Sequence, residues 1–140
     1  MPKGLTRRTM IRAAVAAALP YGTLLPPRAG NGQRSAGHPT PRAGVTAAKV
    51  LPAAQLEVGA DVAAIFEQIR EIPAVADGIR CQCSCADQPD YYSLLTCFEG
   101  AEAMAQHCEI CRAQGRLASR LHRTGKTLDQ IRKAIDARFG

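Results

Sequence analysis

Six cysteines are concentrated in one short stretch of this 140-residue chain, and their close spacing is typical of a thiolate site. Neighbouring cysteines in a Cys-x-Cys pattern are poorly placed to form a disulfide with each other, because a disulfide requires a narrow range of Cα separations and dihedral angles. Thiolates crowded in this way suit Cu(I), Zn²⁺ or an iron–sulfur cluster. We therefore predict that all six cysteines are metal ligands: Cys81, Cys83, Cys85, Cys97, Cys108 and Cys111.

The N-terminal residues resemble a bacterial twin-arginine (Tat) export signal. Thr6-Arg7-Arg8-Thr9-Met10-Ile11-Arg12 precedes an apolar stretch, residues 13–25, that is too short to span a bilayer and is interrupted by Pro20. We predict a signal peptide over residues 1–29, with small-residue motifs at 35–37 and 45–47 as candidate cleavage sites. The Tat translocase is the expected partner during export, and the expected location is periplasmic or secreted. No cysteine precedes Cys81, so no membrane anchor is expected after cleavage.

The predicted export route bears on the chemistry of the cysteines. An oxidising compartment converts accessible thiols to disulfides. A domain that is exported already folded can take up its metal in the reducing cytosol and keep its thiolates protected. The route therefore favours a metal site, and a disulfide-stapled interaction domain is the alternative.

The basic charge of the chain belongs to its N-terminal part. The formal net charge is +6, yet residues 1–48 contain seven Lys or Arg and no Asp or Glu. Residues 49–140 contain eleven Lys or Arg against twelve Asp or Glu, so the remaining domain is close to neutral. Without a basic patch interleaved with aromatic residues, the sequence does not predict nucleic-acid binding.

The composition divides the rest of the chain into a flexible linker over residues 30–51, rich in Pro, Gly, Ala and Arg, and a Cys-rich helical domain over residues 52–140. A first helix is predicted with Asp61 as its N-cap and Pro73 beyond its end. A second helix is predicted from about Gly100 to His122. The sequence Thr127-Leu-Asp-Gln130 has the form of a capping box, and it predicts the start of a third helix.

The second predicted helix has two distinct faces. Ile110, Leu117 and Leu121 form an apolar stripe that we expect to pack inward. Cys108 and Cys111 lie on another face, where a pair at i and i+3 can bind one ion together with the thiolates of the preceding loop. Residues 78–99 show no reliable period and predict a loop with short turns. The expected fold is therefore small and all-α, with a Cys-rich loop packed on a helical hairpin.

The sequence gives little support to catalysis. It contains no Ser–His–Asp pattern, no evident pair of carboxylates in a cleft and no glycine-rich phosphate loop. A thioredoxin-like role would require a Cys-x-x-Cys after a strand, and no such strand is predicted. We therefore expect that the protein is not an enzyme.

Several segments together are similar to the PCYCGC-motif family of exported bacterial proteins. These segments are Ile72-Pro73, Arg80-Cys-Gln-Cys-Ser-Cys85, Leu94-Leu-Thr-Cys97-Phe98, Cys108-Glu-Ile-Cys111 and the final helix from Gly125 to Asp136. The cysteines match the motif, whereas Arg80, Gln82 and Ser84 replace its Pro, Tyr and Gly. The resemblance implies a six-cysteine exported domain, and it does not identify the metal.

The leading hypothesis from the sequence is an exported metal-binding protein. Copper(I) is the favoured ion, because closely spaced thiolates on a loop suit a soft monovalent cation. A buffer or metallochaperone would hold that ion and exchange it with a copper-handling protein. The alternatives are structural zinc, an iron–sulfur cluster, or the disulfide-stapled interaction domain.

Overall fold

The computed structural model describes residues 37–140, and the named elements in that range are all helical. The α-helices are α1 (Ala60–Glu71), α2 (Pro73–Asp77), α3 (Glu109–Arg123) and α4 (Leu128–Phe139). Short 3₁₀ turns lie in the connections, at Ala53–Gln55, Ser84–Asp87, Leu95–Phe98 and Met104–Gln106. This confirms the predicted small all-α fold. No helix of residues 37–140 is long and apolar enough to cross a membrane, and the predicted signal peptide lies outside this range.

Helix α1 forms where the apolar period predicts it, although its N-cap is different. The helix begins at Ala60 with Gly59 as N-cap, so the prediction of Asp61 as N-cap is wrong. Asp61 lies in the first turn instead, where its carboxylate interacts favourably with the helix dipole. Pro73 follows the end of α1 as predicted and opens α2, where its missing N–H costs nothing.

Helices α3 and α4 form the predicted hairpin, and local signals define the turn between them. Gly125 has a φ of 79°, which few other residues adopt without strain. The N–H groups of Gly125 and Lys126 bond to the carbonyls of His122 and Leu121, which is a Schellman motif. The capping box of α4 is confirmed, because the Thr127 hydroxyl accepts from Gln130 N–H while the Gln130 side chain accepts from Thr127 N–H.

Helix α3 is shorter than predicted. The expected start near Gly100 is wrong, because the chain forms the turn Met104–Gln106 and then leaves helical geometry at Cys108. Cys108 has a φ of −98° and a ψ of 110°, so it is the N-cap of α3 and lies just before the helix. The Arg112 side chain donates to the carbonyl of Gln106 and holds this bend against the first turn of α3.

The buried face of α3 also differs from the predicted stripe. Ile110 is 44% exposed, and Leu117 is the one member of the stripe that is buried. The inward face is instead the cysteine face, which carries small side chains and one amide: Cys111, Gln114, Gly115 and Ala118. Small residues are needed there because α3 packs closely against α1: a Cβ added at Gly115 would lie 3.0 Å from Phe98 Cζ and 3.3 Å from Ile65 Cγ2.

Residues 37–51, predicted as part of a flexible linker, pack against the helical domain. Val50 is 1% exposed, and Arg42 forms an ion pair with the fully buried carboxylate of Asp77. The Tyr92 hydroxyl and the Arg132 guanidinium donate to the backbone carbonyls of Thr40 and Pro39. The boundary at residue 52 is therefore corrected, because a segment with a linker-like composition is ordered by long-range polar contacts that composition does not reveal.

Candidate metal centre

The structure brings four of the six cysteines into one compact group. The sulfurs of Cys81, Cys83, Cys97 and Cys111 all lie within 4.8 Å of one another. Cys81 Sγ is 3.2 Å from Cys83 Sγ and 3.6 Å from Cys111 Sγ, and Cys83 Sγ is also 3.6 Å from Cys111 Sγ. None of the four residues is more than 8% exposed. We call this group the thiol tetrad, and it can hold a metal ion.

The spacing of the tetrad matches tetrahedral coordination by sulfur. Four sulfurs at about 2.3 Å from a central ion lie about 3.8 Å from one another in a regular tetrahedron. The sulfurs of Cys81, Cys83 and Cys111 are 3.2 to 3.6 Å apart and no pair in the tetrad exceeds 4.8 Å, so the group has about the size that such an ion requires. The sulfurs are also too far apart for a disulfide, and all six cysteines are free thiols.

Three separate segments supply the tetrad. Cys81 and Cys83 lie in the extended chain that leaves α2, where Cys83 has a φ of −92° and a ψ of 166°. Because side chains alternate along an extended chain, Cys81 and Cys83 lie on the same side of it, with Gln82 between them. Cys97 lies on the turn Leu95–Phe98, and Cys111 lies in the first turn of α3. Any ion bound here would tie together segments that are distant in sequence.

A backbone hydrogen bond and a buried ion pair hold these segments in place. Leu94 N–H donates to the carbonyl of Ile79 at 2.7 Å, which joins the segment before Cys97 to the chain just before Cys81. The carboxylate of Asp77 accepts from the Ser93 hydroxyl at 2.8 Å and from Arg42. Burial raises the pKa of Asp77, but the hydrogen bonds from Arg42 and Ser93 outweigh burial and hold that pKa below its usual value.

Gln114 contacts the candidate site, and the sequence did not predict it. Its side chain is fully buried, and its Nε2 donates to Cys81 Sγ at 3.6 Å and to the Ile110 carbonyl at 3.3 Å. Its Oε1 accepts from Gln82 N–H at 3.1 Å. One amide therefore fixes both a ligand sulfur and the backbone between two ligands. The sequence feature that could have indicated this contact is the position of Gln114, three residues after Cys111, which places a polar side chain on the cysteine face of α3.

The four thiols of the tetrad do not ionise equally. Hydrogen bonding with Cys111 lowers the pKa of Cys81 and of Cys83, and the reciprocal bonds raise the pKa of Cys111. A hydrogen bond with Cys111 lowers the pKa of Cys97. Bonds with Cys81 and Cys83, together with burial, outweigh that effect, so the pKa of Cys97 is raised overall. The four thiols therefore titrate as one interacting group, and a cation that binds there must displace protons from it.

Cys85 and Cys108 lie outside the tetrad. Both are half-buried and pack against the edge of the core, Cys85 on the turn Ser84–Asp87 and Cys108 at the N-cap of α3. Burial raises the pKa of Cys85 to about 11, with further contributions from Cys83 and Cys108. The predicted convergence of loop and helix cysteines is thus observed for four residues, while these two lie at its periphery.

Comparison with known proteins does not place the chain in a family: no protein-family model matches it, and searches of curated proteins and of solved structures returned no match. The resemblance to the PCYCGC-motif family stays a prediction. The fold and the site define a small, all-α, cysteine-rich protein with a buried four-cysteine group that can hold a metal ion.

Proposed function

We propose that this protein binds one soft metal ion through Cys81, Cys83, Cys97 and Cys111, and that Zn²⁺ is the ion this site favours. The observation that carries the proposal is the convergence of four buried sulfurs, from three segments, at separations suited to tetrahedral coordination. Tetrahedral sites with four sulfur ligands are typical of zinc and of iron–sulfur centres. An ordinary core places cysteines singly, as small apolar residues.

Charge supports a divalent ion over the Cu(I) that the sequence favours. If all four cysteines bind as thiolates, the net charge is about −2 around Zn²⁺ and about −3 around Cu(I), and uncompensated buried charge is costly. Among the side chains of residues 37–140, Gln114 is the non-cysteine donor to these sulfurs, and it is neutral. The less negative complex is therefore easier to bury.

Copper(I) is the second candidate, and a specific observation favours it. Cys85 and Cys108 pack against the same buried core as the tetrad and follow or precede a tetrad cysteine by two or three residues, so six thiolates are available for a cluster of several soft monovalent ions. In that arrangement sulfurs bridge neighbouring ions, and the negative charge per ion falls. The number of ions bound per chain distinguishes this arrangement from a single tetrahedral ion.

A role in holding metal suits the site better than catalysis. Catalytic zinc keeps one coordination position open for water or substrate, whereas structural zinc is enclosed by four protein ligands. With all four positions taken by buried cysteines, the bound ion has no vacant position at which to activate a substrate. We therefore propose a binding and buffering protein rather than an enzyme.

The twin-arginine pattern supports a site of action outside the cytoplasm. A domain that folds around its ion before export would protect thiolates that a disulfide-forming compartment otherwise oxidises. The test is the variant Arg7→Lys/Arg8→Lys, which should move the protein from the periplasmic to the cytoplasmic fraction. An unchanged distribution would contradict twin-arginine export and leave the metal proposal intact.

Metal analysis of the purified full chain tests the proposal. The protein is reduced, stripped with a chelator, then titrated separately with Zn²⁺, Co²⁺ and Cu(I), and bound metal is measured by elemental analysis. We expect one Zn²⁺ per chain, and with Co²⁺ the intense absorption of a tetrahedral cobalt–thiolate centre.

The matched variants divide the six cysteines into two groups. Cys97→Ser should lower zinc affinity at least tenfold, because the tetrad loses one of its four soft ligands. Cys85→Ser should leave affinity within about twofold. Full zinc binding by the Cys97→Ser variant, or several Cu(I) ions bound more tightly than one Zn²⁺, would contradict the zinc proposal.

A further inference from the structure

Two thiols at the edge of the tetrad have no role in a closed four-sulfur site. Cys85 and Cys108 are half-buried, whereas no member of the tetrad is more than 8% exposed. Each outer thiol is also joined by a short stretch of chain to a ligand. Cys85 lies two residues after Cys83, and Cys108 lies three residues before Cys111.

A closed site of this kind presents a kinetic problem. The tetrad sulfurs have little solvent exposure, so an incoming donor molecule cannot reach them directly. An ion can enter only if accessible ligands receive it first and pass it inward. Resting on the proposed function, we propose that Cys85 and Cys108 form a receiving pair that exchanges the metal ion between thiolate donors in solution and the buried tetrad.

The position of the pair suits stepwise ligand exchange. Cys85 follows Cys83 by two residues on the loop, and Cys108 precedes Cys111 by three residues at the start of α3, so the chain keeps each outer thiol close to one tetrad cysteine. Both outer thiols also pack against the buried core to which all four cysteines of the tetrad belong.

The transfer step conserves charge and needs no redox partner. The Cys85 thiol releases its proton, a metal–sulfur bond to Cys85 forms, and the bond between the metal and one donor thiolate breaks. The departing donor thiolate takes up the proton. The same exchange is repeated at Cys108 and then at each of the four tetrad cysteines. Each incoming thiol gives its proton to the thiolate that it displaces, so the ion moves into the tetrad without any change of oxidation state.

The experiment compares transfer rates with equilibrium binding in the full chain. Zinc is presented as its glutathione complex to the reduced, metal-free protein, and release is followed with a chromophoric chelator. We expect Cys85→Ser/Cys108→Ser to slow both rates at least tenfold while still binding one Zn²⁺ per chain. Each single variant should show an intermediate rate, and Ser84→Ala, an exposed neighbour on the same turn, should match the wild type.

The other possible outcomes distinguish failure of the receiving pair from failure of the zinc site. Wild-type rates in the double variant, with one zinc bound, would overturn the receiving pair alone. The receiving pair would also be overturned if the wild type binds more than one ion per chain and the double variant binds fewer. The outer thiols would then be permanent ligands. Failure of the wild type to bind zinc would overturn the proposed function together with this inference. Circular dichroism confirms that each variant is folded.

Discussion

The side-chain amide of Gln114 donates a hydrogen bond to the sulfur of Cys81, with Nε2 and Sγ 3.6 Å apart. A neutral N–H donor stabilises a thiolate without adding charge, and this one is fully buried beside the tetrad. Because the same side chain accepts from Gln82 N–H, it also fixes the backbone between two ligands. If the tetrad binds metal as proposed, Gln114 is therefore a positioning residue of that site.

Replacing Gln114 by Leu should weaken metal binding. The substitution removes the N–H···S bond and leaves the N–H of Gln82 without its acceptor. Loss of such an outer partner typically lowers metal affinity about 10- to 100-fold. Competition with a zinc chelator measures the change, and Gln88→Leu, at an exposed loop position, is the matched control. Equal affinity in the two variants would show that the Gln114 amide does not support the site.

Metal binding should stabilise the fold, because one ion ties the Cys81–Cys83 segment to the Leu95–Phe98 turn and to α3. At a free zinc concentration a thousandfold above Kd, the free energy of unfolding should rise by about 4 kcal/mol. Thermal denaturation with and without a chelator measures the shift. The Cys97→Ser variant should show a much smaller shift at the same zinc concentration, and an equal shift would place the stabilising ion elsewhere.

Removal of Arg42 and removal of Asp77 should lower the free energy of unfolding by different amounts. Arg42→Ala leaves a fully buried carboxylate unpaired and should cost about 3 kcal/mol of the free energy of unfolding. Asp77→Asn should cost about 1–2 kcal/mol, because the Arg42 side chain is 41% exposed and can be solvated. Denaturant unfolding measures both, with Arg123→Ala on the exposed end of α3 as the control. Equal small losses would mean that residues 37–51 contribute little to stability.

Asp77 should also make the fold sensitive to acid. Burial raises the pKa of Asp77, but hydrogen bonds from Arg42 and Ser93 outweigh burial. The folded-state pKa therefore lies below the unfolded value of 3.8. A depressed carboxyl pKa contributes stability that is present above pH 3.8 and is lost as the pH falls through the folded-state pKa. In Arg42→Ala the side-chain hydrogen bonds to Asp77 are lost, while the N–H of residue 42 and the Ser93 hydroxyl still donate, so the pKa of Asp77 should rise and this contribution to stability should shrink. Unfolding curves between pH 3 and pH 7, compared for the two proteins, measure this difference; parallel pH profiles would contradict it.

Gly115 is expected to tolerate no branched side chain. An added Cβ already approaches Phe98 Cζ to 3.0 Å and Ile65 Cγ2 to 3.3 Å, and the further methyl groups of Val would have to displace α1 or the turn Leu95–Phe98. Gly115→Val should therefore cost about 3 kcal/mol by overpacking. It should also reduce zinc affinity, because that turn carries Cys97. Arg120→Val on the exposed face of α3 controls for helix propensity, and a similar small loss in both variants would contradict close packing at Gly115.

Features that depend on neighbouring residues could be predicted from the sequence. Pro73 ends one helix and starts the next because it lacks an N–H, and Thr127 with Gln130 starts α4 because their side chains satisfy its free N–H groups. The confinement of the cysteines to residues 81–111 was likewise sufficient to predict a shared thiol site between loop and helix.

Which thiols come together, and which residues surround them, depends on how distant segments of the chain pack. Six cysteines at suitable spacings are equivalent in sequence, but four become buried together because the bend at Cys108 starts α3 late and directs Cys111 inward. The same packing exposes Ile110 and buries Gln114, against the order that hydrophobicity alone predicts. Arg42 becomes part of the domain because the buried Asp77, 35 residues away, requires a cation. Local propensity acts over a few residues, whereas burial and charge compensation depend on contacts that form only when distant segments meet.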